Sequence, residues 1–115
     1  MQGHIVKAFD EDITRLRGLI AEMGGLAELG IQEAMEALMT GDEELGRGVV
    51  LRDRKLDALE VEVDQLAVQL LALRAPMADD LREIIAALKI AGILERIGDY
   101  AKNIGKRVGR IENRS

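Results

Sequence analysis

Apolar residues recur along the chain at alternating steps of three and four, the period of one face of an α-helix. In the first third the stripe is Phe9, Ile13, Leu16, Ile20, Met23, Ala27, Gly30, Ala34 and Ala37. The second stripe runs Leu45, Val49, Leu56, Leu59, Val63, Leu66, Leu70 and Leu73, interrupted by Arg52. Spacing sustained over about thirty residues predicts helices of roughly 45 Å, packed at shallow angles. The third segment differs. Leu81, Ile84, Ile85 and Leu88 mark one face of its first half, and Ile90, Leu94, Ile97, Ala101, Ile104 and Val108 mark another. At 100° per residue the two faces lie about 180° apart. A helix in a solitary bundle needs one apolar face. The second predicts a further surface to cover, by a dimer, another repeat or a partner.

Two breaks separate the stripes, at Thr40-Gly41-Asp42 and at Arg74-Ala75-Pro76, which holds the sole proline. Each combines a stop signal with acids in the next first turn, where they oppose the positive end of the helix dipole: Glu43 and Glu44, then Asp79 and Asp80. Connections this short place consecutive helices antiparallel. The expected fold is all-α: an elongated antiparallel three-helix bundle over residues 5–110, with helices at about 5–40, 43–73 and 77–110. Residues 1–4 and 111–115 are read as tails. Gly24-Gly25 is a candidate kink in the first helix.

Composition narrows the function. Aromatic residues are 2% of the chain and the net charge is −5. Nucleic-acid binding needs cations for phosphates, and usually aromatic platforms for single strands, so it is not expected. With no cysteine there is no disulfide framework, thiolate ligand or Cys nucleophile. The acids Asp10, Glu11 and Asp12 occupy the place of a signal peptide's apolar run, and no apolar stretch approaches the ~20 residues of a membrane span. The expectation is a soluble, cytoplasmic protein. The single histidine, His4, cannot build a Glu-x-x-His di-iron centre. No Ser/His/Asp set or phosphate-cradling glycine loop is present, so the chain is not expected to be an enzyme.

The informative polar residues are acids. Asp53, Asp57, Glu60 and Asp64 fall within an arc of about 60° on the second helix. On the third, Glu95 and Asp99 are one turn apart and Asn103 one turn further. Counted from the Pro76 turn, position 53 lies level with position 99, so Asp53/Asp57 should face Glu95/Asp99 across the groove. Facing carboxylates repel and shift each other's protonation, and a di- or trivalent cation relieves the repulsion. All-oxygen ligation suits hard ions such as Mg²⁺, Mn²⁺, Ca²⁺ or Fe³⁺. The other reading of these residues is a solvated acidic stripe, interleaved with Arg52, Arg54, Lys55 and Arg96. Gly92 and Gly98 flank Glu95, either for close backbone approach to a metal or for tight helix packing. Tyr100 is either a neighbour of the acidic site or a surface residue. Lys102, Lys106, Arg107 and Arg110 could meet an acidic partner or lipid headgroups, but cations are also expected at a helix C-terminus from the dipole alone.

The segment Leu94-Glu95-Arg96-Ile97-Gly98-Asp99-Tyr100-Ala101-Lys102-Asn103-Ile104 resembles the signature of the PhoU family. His4 to Asp10, Met23-Gly24-Gly25-Leu26, Arg52-Asp53 through Asp57, and Arg74 to Arg82 resemble its other segments. The resemblance implies one of two tandem three-helix repeats, each with an acidic E/D-x-x-x-D pattern that can hold iron or another metal, such as manganese, magnesium or zinc. Carried onto this chain, the metal ligands are Asp53, Asp57, Glu95 and Asp99, with Glu60 and Asn103 as further candidates. It implies a negative regulator of phosphate uptake and phosphate-starvation signalling. Its partners would be the ATPase subunit of a phosphate ABC transporter and the sensor histidine kinase PhoR, with a homodimer or second repeat against the bundle. Membrane association would come only through partners. The competing readings are a metal-dependent hydrolase or metal-storage protein using the same carboxylates, and a purely structural dimerising bundle.

Overall fold

A computed structural model describes the backbone of residues 2–112 and the side chains of residues 7–110. Three helices account for nearly all of it: α1 (Gln2–Thr40), α2 (Glu43–Arg74) and α3 (Ala78–Glu112). Each packs against both others, in an antiparallel bundle measuring 67 × 18 × 16 Å. This is the fold class that the hydrophobic pattern predicts. The bounds differ in detail. Helix α1 begins at Gln2 and takes in residues 2–4, which the sequence reading assigns to a tail, because nothing before Ile5 stops a helix. Helix α3 extends through Ile111 and Glu112. The His4 side chain and residues 113–115 lie outside the described residues.

Both turns follow from local chemistry. Gly41 adopts a left-handed conformation (φ 70°) that ends α1, and the Asp42 amide then donates to the Ala37 carbonyl at 3.0 Å, closing a Schellman-type stop. Asp42 is also the N-cap of α2, its carboxylate accepting from the Leu45 amide at 3.0 Å. At the other turn, Ala75 takes the left-handed cap of α2 (φ 44°) and Pro76 cannot continue the helix. Gly24 and Gly25 lie within the unbroken α1.

The core changes character along the axis. Leu16, Met23, Val63, Leu70 and Ile84 are fully buried toward the Pro76 turn. Toward the Gly41 turn the interior is Ala34, Val49 and Ala101, with Ile31 and Ile104 packed against them. Here α2 and α3 approach so closely that a Cβ on Gly46 would lie 2.7 Å from the Gly105 carbonyl oxygen, and one on Gly105 equally close to the Gly46 oxygen.

Two expectations are corrected. Helix α3 has no pair of opposite core faces: Ile84, Ala87, Ala91, Gly98, Ala101, Gly105 and Val108 form one inward seam at heptad spacing. Ranking positions by apolar size hid it, because the seam is rich in Ala and Gly, while Leu81, Ile85, Ile90 and Ile93 are exposed. In α2, Arg52 does not interrupt the core. It points outward and forms a bidentate ion pair with Glu33 of α1. The inward residue at that level is Asp53.

Candidate metal centre

Asp53 is the one polar residue among the buried side chains described, at 6% exposure. The heptad path of α2 carries it inward between Val49 and Leu56, a position that usually holds an aliphatic side chain. Room for it comes from α3. A Cβ at Gly98 would lie 2.8 Å from Asp53 Oδ1 and press on Leu56 Cδ2, so a larger residue here would force these side chains to shift. Gly92, by contrast, has nothing within 4 Å of its added Cβ. Of the two glycines flanking Glu95, Gly98 is therefore the one in close packing.

Asp57 follows one turn later on α2, half-buried, and Asp99 sits beside Gly98 on α3, exposed. Each of the three carboxylates offers an oxygen lying within 4.8 Å of those of the other two. Glu95 is half-buried one turn before Asp99, Glu60 is half-buried further along α2, and Asn103 is exposed. None of them belongs to that close group.

The electrostatics are unfavourable as they stand. Burial pushes the Asp53 carboxyl up from its ordinary value, and Asp57 and Asp99 push it further; Lys102 and Lys106 pull it partly back. Burial raises Glu60 too, reinforced by Asp64, Asp57 and Asp99. Both Asp53 oxygens lack a hydrogen-bond partner among the described residues. The nearest cation is the Lys102 ammonium, 3.8 Å from Oδ2, beyond hydrogen-bond distance. A buried carboxylate left so is costly.

A metal ion fits this arrangement. Carboxylate oxygens at about 2.0–2.6 Å from an ion stand no more than about 4–5 Å apart, the spacing found here. Asp53, Asp57 and Asp99 would hold it, and the all-oxygen set suits a hard cation. Sequence reasoning singled out all three residues. It did not find Lys102 as the counterion of Asp53, because a lysine near a helix end is already accounted for by the dipole.

Residues 20–108 match the family described as PhoU domain. The chain is 55% identical over 111 residues to the phosphate-specific transport system accessory protein PhoU homolog of Zymomonas mobilis, covering 96% of this chain and 47% of that protein. It is 46% identical over 107 residues to the protein of the same description from Caulobacter vibrioides, covering 93% and 46%. The crystal structure of PhoU from Pseudomonas aeruginosa superposes with a TM-score of 0.87 at 35% identity, over 90% of this chain and 49% of that one. The chain spans about half the length of the relatives it matches. With the three-helix fold, the signature segment and these matches in agreement, it belongs to the PhoU family.

Proposed function

We propose that this chain is a regulatory, non-enzymatic module of phosphate transport, with a hard metal ion bound between α2 and α3. It would act as an adaptor between the ATPase subunit of a phosphate ABC transporter and the sensor histidine kinase PhoR, repressing the phosphate-starvation response. The phosphate-transport role is supported by similarity to accessory proteins of the phosphate-specific transport system. Metal binding is supported by a single observation: a buried Asp53 with both oxygens unpartnered, facing two further carboxylates.

The adaptor reading needs surface for other chains. Ile90, Ile93 and Tyr100 are exposed along one side of α3, and Ile90 shares a groove with Ile20 and Arg17 of α1. A second copy or a second repeat packs on this side. No described helix is long and apolar enough to cross a membrane; in this reading contact with the transporter is made through its ATPase subunit. Iron, manganese, magnesium and zinc are the candidate ions, held by Asp53, Asp57 and Asp99, with the half-buried Glu95 and Glu60 as further candidate ligands.

The test compares wild type with Asp53→Asn and Asp99→Asn, each reconstituted with iron or manganese, gel-filtered and analysed for metal. The expected result is stoichiometric metal in wild type and loss in both variants. Metal-free Asp53→Asn is also expected to melt above metal-free wild type, because the substitution removes a charge from a dry position. Equal metal content in all three proteins would sink the metal reading. Capture of the transporter's ATPase subunit by immobilised wild type tests the adaptor role separately; failure to retain it would argue against that role.

A further inference from the structure

Asp53, the most buried member of the proposed metal centre, already faces a cation belonging to the chain. Lys102 lies one turn beyond Gly98 on α3, and its ammonium is 3.8 Å from Asp53 Oδ2. The lysine side chain is 32% exposed, so it reaches in from the surface and is not locked in the core. It makes no hydrogen bond to the carboxylate, whose two oxygens remain unsatisfied. A lysine is a compact point charge on a flexible stem, able to swing into solvent at small cost. Lys106, one turn further on, is exposed and makes no ion pair among the described residues.

We infer that Lys102 is a tethered competitor for the metal: it neutralises Asp53 when the centre is empty and swings out when an ion enters. The inference rests on the metal reading above and adds an affinity threshold to the charge preference that the three carboxylates already have. A monovalent ion brings the same charge as the ammonium it displaces and has no electrostatic advantage. A di- or trivalent ion gains attraction to all three carboxylates and wins. Lys102 thereby sets a charge threshold for occupancy. It also couples occupancy to the exposure of an amine on the surface of α3.

Two measurements on the purified 115-residue chain test this. The first is manganese affinity by calorimetry for wild type, Lys102→Met, Lys102→Gln and Lys106→Met. Both Lys102 variants are expected to bind about tenfold tighter, the scale of one partly screened charge a few ångströms from the ion. Lys106→Met should change affinity about twofold or less, through more distant charge alone. Two Lys102 variants guard against one that folds poorly. The second uses unsubstituted protein: acetylation of lysines by acetic anhydride, read by mass spectrometry with and without manganese. Labelling of Lys102 should rise on metal loading while labelling of Lys106 stays constant.

Equal affinity for wild type and both Lys102 variants, or labelling of Lys102 that manganese leaves unchanged or lowers, overturns the competitor role and leaves the metal centre standing. Absence of manganese, iron and magnesium binding in every protein overturns the metal reading, and the inference with it.

Discussion

The two ends of the bundle are held together in different ways. Toward the Pro76 turn, large aliphatic side chains from all three helices fill the interior, with Leu16, Met23, Val63, Leu70 and Ile84 out of solvent. Toward the Gly41 turn the interior narrows to Ala34, Val49 and Ala101, and the backbones of α2 and α3 meet at Gly46 and Gly105. One end is stabilised by apolar area removed from water, the other by close approach of helices. Asp53 lies at the boundary, between Val49 of the thin end and Leu56 of the thick one. A charge can sit inward there because Gly98 leaves no side chain to oppose it. The thinning of the core thus creates the candidate site.

The largest effect that separates the ends is a cavity in the thick one. Leu70→Ala is expected to lower unfolding free energy by about 2–5 kcal/mol, since the lost transfer energy adds to that of an unfilled cavity. Urea denaturation by circular dichroism measures it. A loss below about 1 kcal/mol would show that the aliphatic end collapses readily around a deletion, and the contrast with the thin end would fail.

The next effect is a sign difference between glycines. Gly105→Ala places a methyl group against the backbone of Gly46, which cannot swing aside, so a loss of about 1–3 kcal/mol is expected. Gly24 is half-buried within α1 with nothing within 4 Å of an added Cβ. Gly24→Ala should therefore raise stability by about 0.5–1 kcal/mol, the helix-propensity gain alone. Thermal melts of both variants beside wild type decide the point. If both shift in the same direction, close approach is not what holds the thin end together.

These glycines also show how far the sequence could be read. The stripes of α1 and α2 were legible because large residues at heptad spacing mark a buried face unambiguously: Ile13, Leu16, Met23 and Ala27, then Leu56, Leu59, Val63 and Leu66, are all inside. Both turns were legible from Gly41-Asp42 and Pro76, whose backbone chemistry is local. The seam of α3 was not. Its inward positions carry Ala and Gly, which give little hydrophobic signal, while isoleucines at 85, 90 and 93 point outward. The same ambiguity hid the role of Arg52 and Asp53: adjacent charged residues differ by 100° in direction, and only the packing decides which faces in. The three clustered aspartates were found from spacing and resemblance. That Asp53 is buried and unpartnered, and that Lys102 faces it, depends on where α3 lies against α2.

The smallest expected effect sets a surface ion pair at the thick end beside the buried acid. Arg17 of α1 donates two hydrogen bonds to the Glu83 carboxylate of α3, one of them at 3.0 Å. The hydrogen bond from Arg17 is the main cause that holds the Glu83 carboxyl below its ordinary value, with the arginine's charge adding to it. Asp53 shifts the opposite way, because burial outweighs its cations. A depressed carboxyl contributes stability that is fully present above its unfolded value of about 4.3, and is lost as pH falls through the lower folded value. Wild type should therefore melt slightly above Glu83→Gln at pH 7, and the gap should close toward pH 2. Because both side chains are partly exposed, 1 M salt should also narrow the gap at pH 7. A gap that persists at pH 2 would mean that Glu83 acts through packing in the α1–α3 groove. The thick end would then depend on shape alone, leaving Asp53 and its neighbours as the place where charge shapes the bundle.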